Sequence, residues 1–165
     1  MYQKILIIGD AGRGKSTFAE KLSKKLSIPF YSTDDFFWKI KFTVPNDRQK
    51  SVEGMREIYK KNSWIVDGTT RRLFQDGLEK ADIIFLLEFK RIIPQYYFLI
   101  RRFFKRENER LIDLWRLLRH VTYKKYKKGY GNHMPPLKEM LKPYDNKIVR
   151  LVSMKDINKC IGNIV

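Results

Sequence analysis

Short runs of apolar residues alternate along the chain with longer stretches in which apolar positions recur every three or four residues. The runs are rich in β-branched and aromatic side chains, which predicts strands that are largely buried. They cover residues 4–8, 30–32, 64–66, 83–87 and 148–152. Because these strands alternate with helical patterns, the sequence predicts an α/β fold with a parallel sheet covered on both faces.

The helical spacing predicts helices over residues 15–26, 46–61, 71–79, 92–104, 109–123 and 137–141, and a closing helix from about residue 156. Asn46 or Asp47 is suited to cap the second of these helices. Residues 124–136 combine lysines with glycines and a Pro-Pro pair, which predicts an exposed connector. With 165 residues and no internal repeat, the sequence predicts one domain over residues 1–165.

The formal net charge of +17 suits anionic partners such as nucleic acid, acidic membrane surfaces or phosphorylated small molecules. The alternative is that many lysines simply solvate helix faces. Residues 92–100 form the longest uncharged apolar stretch, about half of a membrane span, so we expect no membrane partner. Cys160 is the single cysteine, and together with the lack of a signal-peptide pattern it favours a cytoplasmic location. No pattern indicates an oligomeric state.

The first strand runs into a glycine-rich loop, in which Gly9 is followed after four residues by Gly14, Lys15 and Ser16. This spacing between a strand and a helix is the phosphate-loop pattern, in which backbone N–H groups and the helix N-terminus surround an anion. Lys15 is placed to reach the β- and γ-phosphates, and the Ser16 hydroxyl to ligate Mg²⁺. The sequence therefore predicts binding of ATP with Mg²⁺ by a contiguous set of residues: Gly9, Ala11, Gly12, Arg13, Gly14, Lys15, Ser16 and Thr17.

Carboxylates follow two of the predicted strands. Asp67 closes the third strand, so it is expected at the carboxyl edge of the sheet, where ligands of open α/β sheets bind. It is a candidate Mg²⁺ ligand, and the alternative is a turn-forming Asp-Gly pair. Asp34 and Asp35 follow the second strand, and either could accept a proton from an attacking hydroxyl or cap a short helix. The aromatic residues 36–38 suit either stacking of an acceptor or the core.

Four segments in this order show a family resemblance: residues 29–34 with Phe37-Trp38, the Trp-Ile-Val-Asp-Gly block at 64–68, residues 81–86 and the basic helix after Arg91. Together with the phosphate loop, they resemble the adenylate-kinase-like proteins known as DNA topology modulation (FlaR-type) proteins. The resemblance implies the nucleoside monophosphate kinase fold, a five-stranded parallel sheet in the order 2-3-1-4-5, with ATP and Mg²⁺ as cofactors. It favours Asp34 over Asp35. One departure is Glu88 with residues 89–91, where such proteins usually carry aspartate, an apolar residue, proline and arginine.

Related kinases also carry a lid in the region of residues 92–141, which brings arginines onto the transferring phosphate. The resemblance thereby makes catalytic candidates of Arg91, Arg101, Arg102 and Arg106, beside Lys15 and Asp34. For each arginine the alternative is an ordinary solvated position on a helix face.

These features favour a small-molecule kinase, a phosphotransferase that moves the γ-phosphate of ATP to a nucleoside-like, nucleotide-like or other small acceptor with a hydroxyl or phosphate group. A second hypothesis is a nucleotide-dependent regulator that binds nucleic acid, with little or no kinase activity. It depends on the net charge and on residues 124–130, where tyrosines interleave with lysines. The third hypothesis is a nucleotide-binding protein with vestigial catalysis.

Overall fold

The computed structural model of the chain describes residues 2–9, 12–40, 44–88, 93–104, 111–126 and 136–164. The strands are β1 (Lys4–Gly9), β2 (Phe30–Ser32), β3 (Trp38–Ile40), β4 (Val44–Pro45), β5 (Trp64–Gly68), β6 (Ile83–Leu87) and β7 (Ile148–Leu151). The helices are α1 (Lys15–Leu26), α2 (Thr33–Phe37), α3 (Arg48–Lys60), α4 (Arg71–Lys80), α5 (Ile93–Phe104), α6 (Leu111–Tyr126), α7 (Leu137–Leu141) and α8 (Met154–Asn163), with a 3₁₀ turn over Lys142–Lys147.

Five strands form one parallel sheet in the order β2-β5-β1-β6-β7. Counted without the small β3–β4 hairpin, this is the order 2-3-1-4-5, so the predicted sheet is confirmed. β1 lies at the centre, and its neighbours β5 and β6 run parallel to it, with Ile7 opposite both Asp67 and Phe85. The carboxyl ends of all five strands therefore lie on one side of the sheet, here called the sheet edge, where the phosphate loop and Asp67 meet.

Burial on both faces of the sheet follows from the alternation of side chains along β1. Ile5 and Ile7 point into a core layer beneath α1 and α8, whereas Leu6 and Ile8 point into a second layer beneath α3 and α4. All four side chains have no exposed surface, as predicted for a strand covered on both sides. The two layers make the sheet a rigid support for the loops at its edge.

Capping decides where several helices begin. Asp47, not Asn46, caps α3, because its carboxylate accepts the backbone N–H groups of Gln49 and Lys50. Ser153 caps α8 by accepting the N–H of Asp156, so this helix begins at Met154 rather than near residue 156. The remaining predicted boundaries agree with the structure to within three residues.

The β3–β4 hairpin was not predicted. Its strands are short, and Pro45 cannot donate a ladder hydrogen bond, so no alternating pattern marks them in the sequence. Of the predicted connector over residues 124–136, residues 127–135 lie outside the described part of the chain. Across the described residues, no helix is long and apolar enough to cross a membrane.

Candidate functional site

The phosphate loop leaves β1 through a backbone conformation that requires glycine. Gly9 has φ +147°, and a Cβ there would lie 2.5 Å from the carbonyl oxygen of Leu87 on the neighbouring strand. Gly14 has φ +78° and immediately precedes α1. The first turn of α1 then closes with a 2.9 Å hydrogen bond from the Phe18 N–H to the Gly14 carbonyl. The predicted strand–loop–helix arrangement is thus present, with the N-terminus of α1 at the sheet edge.

Gly12 joins the phosphate loop to α5. Its φ is +74°, and a Cβ at this position would lie 2.7 Å from Cγ of Leu99 and 3.2 Å from the carbonyl oxygen of Gln95. Both of these α5 residues are buried. The loop therefore packs directly against α5, and a glycine at position 12 lets the two backbones approach this closely.

The cationic and polar residues of the loop differ in exposure. Arg13 and Lys15 are buried, whereas Ser16 and Thr17 are exposed on the first turn of α1. No acidic residue lies in that turn. A lysine, a helix N-terminus and free backbone amides together create a positive potential that favours an anion. Of the predicted cofactor-binding residues, Ala11 lies outside the described residues.

Ser16 and Asp67 meet at the edge of the sheet. The Ser16 hydroxyl donates a 2.6 Å hydrogen bond to Oδ2 of Asp67, which links the first turn of α1 to the end of β5. Asp67 is only 2% exposed, and its Oδ1 is buried without a hydrogen-bond partner among the described residues. A buried carboxylate oxygen without a donor is costly unless a cation or donor satisfies it.

A hydroxyl and a carboxylate are hard oxygen ligands of the kind that Mg²⁺ prefers, and they lie beside the phosphate loop. The site therefore fits the predicted cation, with Ser16 and Asp67 as the residues that would hold it. Within the described residues, no cluster of three or more His, Cys, Asp or Glu side chains forms an alternative metal site.

The start of α2 packs closely on the end of β5. A Cβ on Gly68 would lie 2.8 Å from Oγ1 and from Cγ2 of Thr33, so glycine permits this approach. Thr33 is fully buried, and its hydroxyl makes no hydrogen bond among the described residues. Sequence reasoning missed Thr33, because a threonine after a strand carries no chemical signal of its own.

Asp34 and Asp35 lie in α2, directly after β2, where Ser32 pairs in register with Asp67. Asp34 is half-buried and Asp35 is exposed. The alternative that one of them caps a helix over residues 36–39 is wrong: the cap of α2 is Ser32, whose hydroxyl accepts the Asp34 N–H at 3.4 Å. Both carboxylates are thus within the first turn of a helix that begins beside the end of β5.

The aromatic residues 36–38 span the end of α2 and the start of β3. Phe36 packs on Gly54 of α3, and its carbonyl accepts a 2.9 Å hydrogen bond from the Ser51 hydroxyl. Phe36 and Phe37 also pack against the second core layer. Trp38 is half-buried at the start of the hairpin, edge-on to Phe37 with ring centroids 4.8 Å apart. The core interpretation therefore holds for the two phenylalanines.

Arg71 is a second residue that sequence reasoning missed. It is the first residue of α4, three residues after Gly68, and is half-buried at the same sheet edge as Asp67. The first turn of α4 holds no acidic residue but two arginines, although a helix N-terminus disfavours cations. Two arginines are therefore an unusual feature at the start of this helix.

The predicted lid arginines are described only in part. Arg101 is exposed on α5. Arg91, Arg106 and the Arg102 side chain lie outside the described residues. Glu88, directly after β6, forms a 3.4 Å salt bridge with Arg150 of the neighbouring edge strand β7.

The comparisons with known proteins agree with this geometry. No protein-family model matches the chain. An adenylate kinase of Caldanaerobacter subterraneus is 35% identical over 97 residues, which is 56% of this chain and 41% of that protein. An adenylate kinase of Clostridium botulinum strain Eklund 17B is 33% identical over 113 residues, or 66% and 49% of the two chains. The chain thus spans less than half the length of these curated relatives.

Two shikimate kinases share the fold. The structure from Bacteroides thetaiotaomicron has a TM-score of 0.57 at 15% identity, covering 98% of this chain and 96% of that one. The structure from Acinetobacter baumannii has a TM-score of 0.56 at 12% identity, covering 95% and 88%. The chain therefore has the three-layer P-loop fold of the nucleoside monophosphate kinase type. Among proteins of that fold, its sequence is similar to adenylate kinases.

Proposed function

We propose that the chain is a small-molecule kinase that transfers the γ-phosphate of ATP to a small acceptor. The observation that carries this proposal is the pairing of Ser16 with the buried Asp67 beside the phosphate loop. A carboxylate buried beside a phosphate loop, with one oxygen lacking a donor, is suited to a metal–polyphosphate complex rather than to a bare anion.

The loop supplies binding and positioning. Backbone amides and Lys15 hold the phosphates at the N-terminus of α1, which fixes the reacting phosphate relative to the sheet edge. Ser16 and Asp67 hold Mg²⁺, which when bound neutralises negative charge on the phosphates. Little covalent chemistry is required of the protein in phosphoryl transfer, so such positioning and charge neutralisation provide most of the catalysis.

The acceptor lies on the β2–β5 side of the loop in this proposal. Asp34 accepts the proton of the acceptor hydroxyl, Arg71 binds an anionic group of the acceptor, and Trp38 contacts its ring. The similarity to adenylate kinases favours a nucleotide-like acceptor over other phosphate-bearing or hydroxyl-bearing molecules. A positive site formed by Lys15, Arg71 and two helix N-termini suits an anionic acceptor.

The helical region over residues 92–141 acts as the lid of the single domain in this proposal. The contact between Gly12 and Leu99 places α5 against the phosphate loop, which is where a lid has to act. Arg101 and, by the resemblance, Arg91, Arg102 and Arg106 then stabilise the charge on the transferring phosphate, an effect of about 10³–10⁵ in rate where one such arginine has been measured.

The test compares the turnover of the wild type with that of Lys15→Ala. ATP consumption is measured with Mg²⁺ against a panel of nucleosides, nucleotides, sugars and hydroxy acids. We expect at least one acceptor to stimulate it, and Lys15→Ala to abolish the stimulation while the circular-dichroism spectrum stays unchanged. Lys24→Ala, an exposed lysine on the same helix, is the matched control. If calorimetry detects no binding of Mg·ATP or Mg·GTP to the folded wild type, the proposal fails.

A nucleotide-dependent regulator that binds nucleic acid, the topology modulation role, is the second candidate. The observation that favours it is the net charge of +17, which gives electrostatic affinity for polyanions. Filter binding of DNA and RNA at two salt concentrations tests it, because counterion release makes such affinity fall steeply with salt. Absence of binding at low salt removes this candidate. A cytoplasmic location remains a prediction for either function.

A further inference from the structure

Helix α5 has a buried side and, opposite to it, an exposed apolar side. One side carries Leu99 and Gln95, which are buried against the phosphate loop. The other side carries a stripe of exposed apolar side chains at spacings of four, three and four residues, which share one helix face: Ile93, Tyr97, Ile100 and Phe104. Phe104 is 80% exposed. Apolar side chains that share one helix face are normally covered, and nothing among the described residues covers this face of α5.

Helix α6 also carries exposed apolar side chains. Its inner side packs through Val121, which is buried, whereas four apolar side chains on the other side are exposed: Leu111, Ile112, Trp115 and Tyr123. Leu111 is 73% exposed. Arg119 lies on this exposed side with its guanidinium over the Trp115 ring, 5.5 Å from the centroid. The stripe on α6 is therefore apolar with a cationic border.

The two helices that carry the stripes contact each other. Tyr96, near the start of α5, is hydrogen-bonded to Thr122, near the end of α6. The eight exposed apolar side chains of this helix pair are here called the α5–α6 face.

This concentration of exposed apolar side chains is specific to the α5–α6 face. Of the thirteen large apolar side chains that are exposed among the described residues, eight belong to it. Scattered exposed apolar residues need no explanation, but a contiguous group of this kind marks an interaction surface.

Charge restricts the chemistry of the partner. The sequence over residues 93–128 holds eleven lysines and arginines against three acidic residues, a net +8 of the +17 for the chain. Arg116 and Arg119 are exposed on α6 itself. A partner with a complementary surface is therefore both anionic and able to receive aliphatic side chains.

We propose that the α5–α6 face binds an anionic lipid surface, with the two helices lying in the plane of the membrane interface. Insertion at the acyl boundary is favourable for the aliphatic side chains, which are those of Ile93, Ile100, Leu111 and Ile112. Tryptophan, tyrosine and arginine suit the headgroup level. Such binding is peripheral and needs no helix that crosses the membrane. It departs from the expectation of no membrane partner, which depended on the short length of the apolar stretch over residues 92–100.

Other occupants fit less well. Nucleic-acid bases stack on aromatic rings, but half of the exposed side chains on the α5–α6 face are aliphatic and cannot stack. A second copy of the chain would bring two strongly basic faces together, and like charges oppose that contact. The lipid surface alone satisfies both the aliphatic stripe and the positive charge.

The geometry keeps the phosphate loop clear of the lipid. Leu99 contacts Gly12 on the side of α5 opposite the exposed stripe, so the loop lies on the protein side of the helix. Lipid binding through the α5–α6 face therefore requires no change at the nucleotide site. The inference is independent of the proposed kinase activity and is tested without ATP.

The experiment is co-sedimentation of the full chain with vesicles. Vesicles of phosphatidylcholine with phosphatidylglycerol are compared with vesicles of phosphatidylcholine alone, at low and at physiological salt. We expect binding to the anionic vesicles only. Phe104→Ser/Leu111→Ser removes one large side chain from each helix and should weaken this binding about tenfold or more. Because both side chains are exposed, the variant should fold.

The matched control is Val149→Ser/Met154→Ser. These side chains are exposed apolar residues on β7 and α8, outside the α5–α6 face, so we expect this variant to bind like the wild type. A second readout is fluorescence in Trp38→Phe, which leaves Trp64, fully buried, and Trp115, exposed. Anionic vesicles should then shift the emission to shorter wavelength through Trp115.

Several results would overturn the inference. One is equal sedimentation of Phe104→Ser/Leu111→Ser and wild type, which would show binding by charge through another surface. Another is a lack of wild-type binding to anionic vesicles at low salt. Binding of single-stranded DNA in place of vesicles, lost in the same variant, would assign the face to nucleic acid. Light scattering that shows a dimer, dissociated by the same variant, would assign it to self-association.

Discussion

Ser16, on the first turn of α1, donates a 2.6 Å hydrogen bond to the buried carboxylate of Asp67 at the end of β5. The two residues are far apart in the sequence and belong to adjacent strand–helix units of the parallel sheet. Their contact is possible because β1 and β5 are neighbours and end at the same edge. It places the second carboxylate oxygen beside the phosphate loop without a donor among the described residues.

The first prediction concerns this carboxylate. Asp67→Asn removes the charge but keeps the shape, so the affinity for Mg·ATP should fall about 10–100-fold, as for the loss of other groups that support a metal. The affinity for ATP in the presence of EDTA should change little. Calorimetry under the two conditions measures both values. Asp145→Asn, an exposed carboxylate outside the site, is the control. An equal loss with and without Mg²⁺ would contradict a metal role for Asp67.

The second prediction concerns the contact between the phosphate loop and α5. Gly12 and Gly14 both have φ near +75°, so alanine strains the backbone at either position. At position 12 the added Cβ also collides with Leu99, whereas nothing lies within 4 Å of it at position 14. Gly12→Ala should therefore lower the free energy of unfolding by about 1–3 kcal/mol more than Gly14→Ala, as overpacking does. Urea denaturation measures both.

The Leu99→Ala background separates these two causes. If the difference between Gly12→Ala and Gly14→Ala comes from the collision, most of it should disappear in this background. A difference that persists unchanged would show that Leu99 does not contact the loop in solution.

The third prediction concerns alkaline pH. Burial raises the pKa of Tyr59 well above its usual value of about 10, and its hydroxyl donates a 3.1 Å hydrogen bond to the carbonyl of Leu73. Because the folded-state pKa is the higher one, the protonated tyrosine contributes stability below about pH 10, and this contribution is lost as the pH rises further. Tyr59→Phe should lower the free energy of unfolding at neutral pH by about 1 kcal/mol.

The pH dependence distinguishes a buried tyrosine from ordinary packing. The difference between wild type and Tyr59→Phe should shrink between about pH 9 and pH 11, measured by chemical denaturation. Tyr97→Phe, at an exposed position on α5, should show no such trend. A difference that is constant over this range would contradict burial of the Tyr59 hydroxyl.

The fourth prediction concerns acid. The backbone N–H of Lys50 donates a hydrogen bond to Asp47 that lowers the pKa of this cap carboxyl, and the N–H of Gln49 acts in the same direction. With the folded-state pKa depressed, Asp47 contributes stability above its unfolded pKa of about 3.9, and this contribution is lost as the pH falls below that value. Asp47→Asn keeps a capping side chain but cannot titrate, so it should lose less stability between about pH 5 and pH 2.5.

Urea denaturation at the two pH values checks this prediction. Glu53→Gln, an exposed carboxylate one turn further along α3, serves as the control. If the Asp47→Asn variant loses as much stability in acid as the wild type, the cap does not titrate as described.

Several elements were predictable because their signals are local. The apolar run of β1, the glycine spacing after it and the helical periodicity of α1 lie within about thirty consecutive residues, and each predicts its structure without reference to the rest of the chain. The caps Asp47 and Ser153 are also local, although Asn46 beside Asp47 left one boundary ambiguous. The hairpin escaped prediction because its strands are too short to show a period.

The sequence by itself determined the class of the fold and the phosphate loop, because hydrophobic period and glycine spacing depend only on neighbouring residues. Tertiary structure alone decided which distant side chains meet: Ser16 with Asp67, Thr33 with Gly68, and Leu99 with Gly12. These contacts arise from strand order and helix packing, in which residues far apart in the chain are brought together, and no local pattern encodes them. The same packing decides that one side of α5 is buried while the other, although apolar, is exposed.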